Sequence, residues 1–117
     1  MSKNILVISA SLRNGSNSDM LADEFMRGAL ESGNNAEKIT LRGKSINFCK
    51  GCLACQKTGK CVINDDMAEI LPKMQQADVI CFASPVYFYD MCGQLKTFLD
   101  RTNPLFPAEY NLSLIHI

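Results

Sequence analysis

Residues 5–18 read ILVISASLRNGSNS: an apolar run from Ile5 to Ala10 gives way to hydroxyls, one arginine and a glycine. A short, continuous apolar run flanked by polar residues is the signature of a strand buried on both faces of a parallel sheet. Downstream, Met20, Leu21, Phe25, Ala29 and Leu30 fall at helical spacing, and Ser32-Gly33 supplies a helix end. Glu37 to Leu41 alternates as a second strand. Asp66 to Gln76 predicts a helix with Asp66 and Glu69 placed for a capping box, and Pro72 is expected to kink or shorten it. Asp78 to Ser84 is another buried run, closed by Pro85, and Gly93 to Arg101 predicts a helix with Leu95, Phe98 and Leu99 inward. Strands alternating with helices mean an α/β fold with a parallel sheet and right-handed crossovers.

The chain has 117 residues, 47% of them hydrophobic, with twelve basic and twelve acidic side chains, enough for one globular domain. Zero net charge and the lack of any run of like charge argue against nucleic acid as a partner. The N-terminal MSKNILVISAS is too short for a membrane span and has no cleavage site, so neither a signal nor an anchor is expected and the location expected is cytoplasmic. His116, the only histidine, lies in the last two residues, which argues against histidine catalysis or ligation. In a reducing compartment the dense cluster of four of the six cysteines at 49–61 points to a metal or redox site rather than to disulfides.

Ligands of a parallel α/β sheet sit beyond the carboxyl ends of its strands. Two loops leave strands at that edge. In the first, hydroxyls of Ser11, Ser16 and Ser18, the Asn17 amide, the Arg13 fork and the N–H groups at a helix start would together hold a phosphate. Serine and asparagine are also common helix caps, but so many such groups after a first strand favour phosphate. The loop matches neither GxGxxG nor GxxxxGKS, so dinucleotide and nucleoside-triphosphate motifs are not supported. The second loop, SPVYFYD at residues 84–90, sets three aromatics in a row at a strand end. Alone it could be packing; beside a phosphate loop it reads as the wall of a planar ligand, which together suggests a flavin mononucleotide.

SASLRNGSNS at 9–18, the CxxCxxCxxxxxC pattern at 49–61, DDM at 65–67 and SPVYFYDMCGQLKTFLDR at 84–101 together resemble the NADPH-dependent FMN reductase and iron-sulfur flavoprotein group. The likeness covers about residues 3 to 107. It implies a flavodoxin-like doubly wound sheet in three α/β/α layers, with FMN as cofactor. It further implies the phosphate on Ser11, Arg13, Ser16, Asn17 and Ser18, and the ring against Pro85, Val86, Tyr87 and Phe88. Reduction by NAD(P)H and a homodimer or homotetramer that completes the flavin pocket also follow from the resemblance.

Cys49, Cys52 and Cys55 are each three apart, as in the first ligands of bacterial ferredoxin runs, with Cys61 six further on as a fourth. Spacing and resemblance together favour a [4Fe-4S] cluster in a cysteine-rich insertion at 48–61. Four-thiolate zinc, whose ligands more often fall in two separated pairs, and a loop of unligated thiols are the alternatives. Cys81 and Cys92 read as packing residues.

Three functions compete. The first is an FMN-dependent NAD(P)H oxidoreductase acting on a quinone, a nitro or azo compound, a flavin or another small-molecule redox substrate, with the flavin carrying the chemistry and no catalytic side chain required. The second is a flavin/iron-sulfur electron carrier serving partner proteins, a ferredoxin-like protein among them; the balanced charge counts against it. The third is a structural zinc-binding module, which leaves both loops unexplained. A flavodoxin-like sheet has five strands and three long ones are readable here. Residues 1–111 are therefore expected to be the N-terminal part of one FMN-binding domain, and LSLIHI at 112–117 a non-native tail.

Overall fold

A computed structural model describes residues 2–105. Its elements, in chain order, are β1 (Asn4–Ser9), α1 (Asn17–Glu31), β2 (Asn35–Thr40), α2 (Cys55–Thr58), α3 (Met67–Gln76), β3 (Val79–Ala83), β4 (Val86–Tyr87), β5 (Asp90–Met91) and α4 (Gly93–Asp100), followed by a 3-10 turn at Asn103–Leu105. The expected tail at 112–117 lies outside the described residues.

The main sheet is parallel with order β2-β1-β3, β1 pairing Ile8 with Ile39 on one side and with Phe82 on the other. This is the beginning of the flavodoxin-like order 2-1-3-4-5. The period of two along β1 divides the interior. Leu6, Ile8 and Ala10 join Ile80, Met67, Met74, Leu95 and Phe98 in one cluster, while Val7, with Ala22 and Cys81, forms a second. Because α1 contributes to the second cluster and α3 and α4 to the first, helices lie on both faces and the three-layer α/β/α arrangement follows. Phe98, fully buried beside Phe82, anchors α4, and its truncation to alanine is expected to cost about 3–5 kcal/mol.

Three local expectations are corrected. The Asp66/Glu69 capping box does not form: Asp66 takes helical backbone and its Oδ2 accepts from the Ser45 N–H at 2.6 Å, while Asp65 Oδ1 accepts from the Met67 N–H at 3.1 Å. The α3 helix runs through Pro72 to Gln76 without being shortened; Pro72 is exposed, away from the packed side at Ile70 and Met74. On α1, Met20, Leu21 and Leu30 are exposed, whereas Asp19 and Ala22 are buried. The helix turns a polar residue inward there because Asp19 has partners beneath it, which apolar spacing does not register.

Candidate functional site

The first loop leaves β1 at Ser9 and re-enters regular structure at the Ser16 N-cap of α1. Gly15, at φ 72°, makes the left-handed turn that lets the chain reverse into the helix. Ser16 accepts from the Asp19 N–H at 3.3 Å and donates to Ser11 Oγ at 2.6 Å; its Oγ is also 3.5 Å from Ser18 Oγ. Ser11 is buried, and its Oγ accepts from the Arg13 N–H at 3.2 Å. Three of the five residues expected to bind phosphate therefore gather their hydroxyls at one helix N-terminus. Arg13 and Asn17 are exposed on the same loop.

Beneath this loop lies a charged support. Ser9 Oγ donates to Asp19 Oδ1 at 2.8 Å, and Lys38 Nζ reaches the same oxygen at 2.8 Å and Asp23 Oδ1 at 2.6 Å. The Lys38 hydrogen bond, then that of Ser9, holds the Asp19 carboxyl below its ordinary value despite burial. Desolvation works against the Lys38 ammonium, but Asp19 and Asp23 outweigh it and raise its pKa. The carboxylate at the third position of the helix is thus neutralised from below by β2.

The second loop is a hairpin. Pro85 is half-buried; β4 and β5 pair antiparallel, with Val86 opposite Met91 and Tyr87 opposite Asp90. Phe88 and Tyr89 form its two-residue turn at φ 48° and 65°, the backbone that primed hairpin turns normally give to Asn and Gly. Their rings are 94% and 95% exposed and stand edge to face, with centroids 5.8 Å apart. Two large aromatics in strained backbone at full exposure are costly for stability alone, and such strain clusters at ligand sites.

The two loops are tied together. Ala10 donates its N–H to the Ala83 carbonyl at 2.8 Å, and its carbonyl accepts from Gln94 Nε2 at 2.9 Å. Ser84 Oγ accepts from the Cys92 N–H at 3.1 Å, closing the hairpin onto the start of α4.

Between β2 and α3 lies the cysteine loop. All four of Cys49, Cys52, Cys55 and Cys61 line one pocket of about 80 Å³, together with Arg101 and Asn103. Asn103 Nδ2 is 3.3 Å from Cys55 Sγ, and the Ile63 N–H donates to Cys61 Sγ at 3.5 Å. Leu53, at φ 61°, and Gly59, at φ 74° after α2, bend the chain around it. None of the six cysteines forms a disulfide, and among the described residues no three potential ligands stand at metal-binding distances. The donor set nevertheless fits a cluster: four thiols on one pocket with N–H donors to two of the sulfurs. Cys81 and Cys92 are buried elsewhere, burial pushing the Cys81 thiol up.

Residues 3–112 match the family model described as NADPH-dependent FMN reductase. The chain belongs to that family. An iron-sulfur flavoprotein of Methanocaldococcus jannaschii is 44% identical over 101 residues, 86% of this chain and 52% of the relative. One of Archaeoglobus fulgidus is 37% identical over 97 residues, 83% of this chain and 44% of the relative. The chain thus spans about half the length of these curated relatives. An NAD(P)H:quinone oxidoreductase from Methanothermobacter marburgensis superposes with a TM-score of 0.71 at 20% identity, over 87% of this chain and 54% of that one, a likeness of fold.

Within this FMN reductase fold, sequence reasoning missed two ion pairs whose carboxylates are buried. Asp19 with Lys38 braces the first loop, and Asp65 with Arg101 braces the cysteine loop. For Asp65, DDM at 65–67 carried a signal, a doubled acid just before a helix, but not which acid is paired.

Proposed function

We propose that the full-length protein is an FMN-dependent NAD(P)H oxidoreductase that passes electrons to a small-molecule acceptor of the quinone, nitro or azo, or flavin class. One observation carries this reading: the serine loop and the aromatic hairpin leave adjacent strands, β1 and β3, at their carboxyl ends, where the order 2-1-3 reverses. In the flavodoxin-like order this is the switch point at which FMN binds. When bound, FMN supplies the redox chemistry, taking a hydride from a nicotinamide and releasing electrons singly or in pairs.

The residues have simple tasks. Ser11, Ser16 and Ser18 with Asn17 and the α1 N-terminus bind a phosphate dianion, and Arg13 adds a charge-assisted contact from the rim. Lys38 compensates Asp19, so that its carboxylate does not repel that phosphate. Pro85, Val86, Tyr87 and Phe88 flank the ring. The exposure of Phe88 and Tyr89 supports a homodimer or homotetramer in which a second subunit covers the hairpin. Cys49, Cys52, Cys55 and Cys61 would hold a [4Fe-4S] cluster able to accept single electrons, a reading supported by their shared pocket and by relatives named iron-sulfur flavoproteins. Such a cluster also suits an electron carrier that exchanges with a ferredoxin-like protein.

The test is turnover. Full-length protein loaded with FMN is expected to oxidise NADPH or NADH with ping-pong kinetics against an artificial quinone. Flavin that dithionite reduces but neither nicotinamide does would select the carrier.

A further inference from the structure

Arg101 follows α4, yet its side chain serves the cysteine loop. Nη1 donates to the Asn47 carbonyl at 2.9 Å and to Asp65 Oδ2 at 2.7 Å; Nη2 donates to Asp65 Oδ1 at 3.0 Å and approaches the Ile63 carbonyl at 3.5 Å. Asn47 stands immediately before the 48–61 segment and Ile63 just after it, so one guanidinium joins the two ends of the loop. Cys61 and Arg101 line the same cysteine pocket. The remaining donor, Nε–H, is buried without a hydrogen-bond partner among the described residues. A buried N–H left unpaired is costly, and native structures give such a group an acceptor.

We propose that Arg101 is a positioning residue for the cysteine site, closing the base of the loop and giving its spare N–H to the sulfur at Cys61. The inference rests on the reading of the four cysteines as cluster ligands. Its consequence is electrostatic as well as mechanical. With the guanidinium charge already met by Asp65, it is the N–H···S bond that favours the more negative, reduced form of a thiolate-bound cluster and so raises its reduction potential. It also shields one ligand sulfur from solvent. Because Arg101 follows the helix that starts beside the hairpin at Cys92, the same side chain fixes the cysteine loop to the element carrying the flavin wall.

The experiment uses full-length protein reconstituted with iron, sulfide and FMN without oxygen. Removing Arg101 alone would strand Asp65 in the interior, so the main variant neutralises both partners, Asp65→Asn with Arg101→Gln. It is expected to keep FMN, to lose iron to a chelator roughly tenfold faster, and to show a lower cluster potential in a redox titration. Iron loss and potential both indistinguishable from wild type would overturn the proposal. Should the double variant lose FMN as well, Arg101→Lys decides: it keeps a charge but not the fork, and an unchanged potential in it overturns the proposal. If the wild-type protein takes up no iron, the cluster reading fails separately. The clamp is then judged on hydrogen exchange of amides 61–66 in the iron-free protein, where roughly tenfold faster exchange in the double variant supports it and equal exchange overturns it.

Discussion

Arg101 and Asp65 meet fork to fork, Nη1 to Oδ2 at 2.7 Å and Nη2 to Oδ1 at 3.0 Å, with both side chains only 1% exposed. Desolvation alone would push the Asp65 carboxyl up. Arg101 and the N–H groups of Asn47 and Met67 outweigh it and hold the group at about 2, from an ordinary value of 3.8.

A carboxylate depressed on folding contributes stability that is present above its unfolded pKa and is lost as pH falls through the folded one. Asp65 therefore stabilises the native state by about 2 kcal/mol at neutral pH, and this contribution fades between about pH 4 and about pH 2. Urea unfolding of wild type and of Asp65→Asn/Arg101→Gln across that range should show the wild type losing about 2 kcal/mol more. Parallel curves would contradict the assignment. Asp19, also depressed, acts in the same direction but cancels in the comparison.

Arg13→Ala combined with Ser16→Ala should weaken FMN binding to the full-length protein by about 2–4 kcal/mol, two charge-assisted contacts being only partly additive. Ser16 also caps α1, so the variant should unfold about 1 kcal/mol more easily while remaining folded. Flavin fluorescence titration reads the first effect and thermal melting the second. Stoichiometric flavin retention would remove the serine loop from the site.

The hairpin turn offers a trade of stability against binding. Phe88→Asn with Tyr89→Gly places residues that favour positive φ where two aromatics now bear it, and should stabilise the fold by roughly 1–2 kcal/mol. The same change removes Phe88 from the proposed flavin wall, so FMN affinity should fall. A variant no more stable than wild type would show that the strain is absent in solution.

Single Cys→Ser variants at Cys49, Cys52, Cys55 and Cys61, made anaerobically, should each lose most of the iron and the broad visible absorbance while FMN bands remain. Cys81→Ser and Cys92→Ser are controls: both residues are buried away from the pocket, and both variants should keep iron at some cost in stability. Zinc in place of iron in the wild type would select the structural alternative.

The alternation of buried runs with helical spacing was enough to place β1, β3 and α4 within a residue or so, because burial on both faces leaves a local apolar signature at Ile5–Ala10 and Asp78–Ser84. The serine loop was legible for the same reason: it follows a recognisable strand, and its chemistry is contiguous in the chain. The four cysteines announced themselves by spacing. What the chain order did not contain was partnership across distance. Asp66 looked like the helix cap, yet Ser45 takes its carboxylate and Asp65 does the capping, since Arg101, 36 residues on, is packed against Asp65. Asp19 faces inward through Ser9 and Lys38, so α1 leaves Met20 and Leu21 exposed against the apolar pattern. Periodicity records how residues are spaced along one element. Which acid is buried with a base, and which helix face turns inward as a result, is decided only when β2, α4 and the cysteine loop are brought against it.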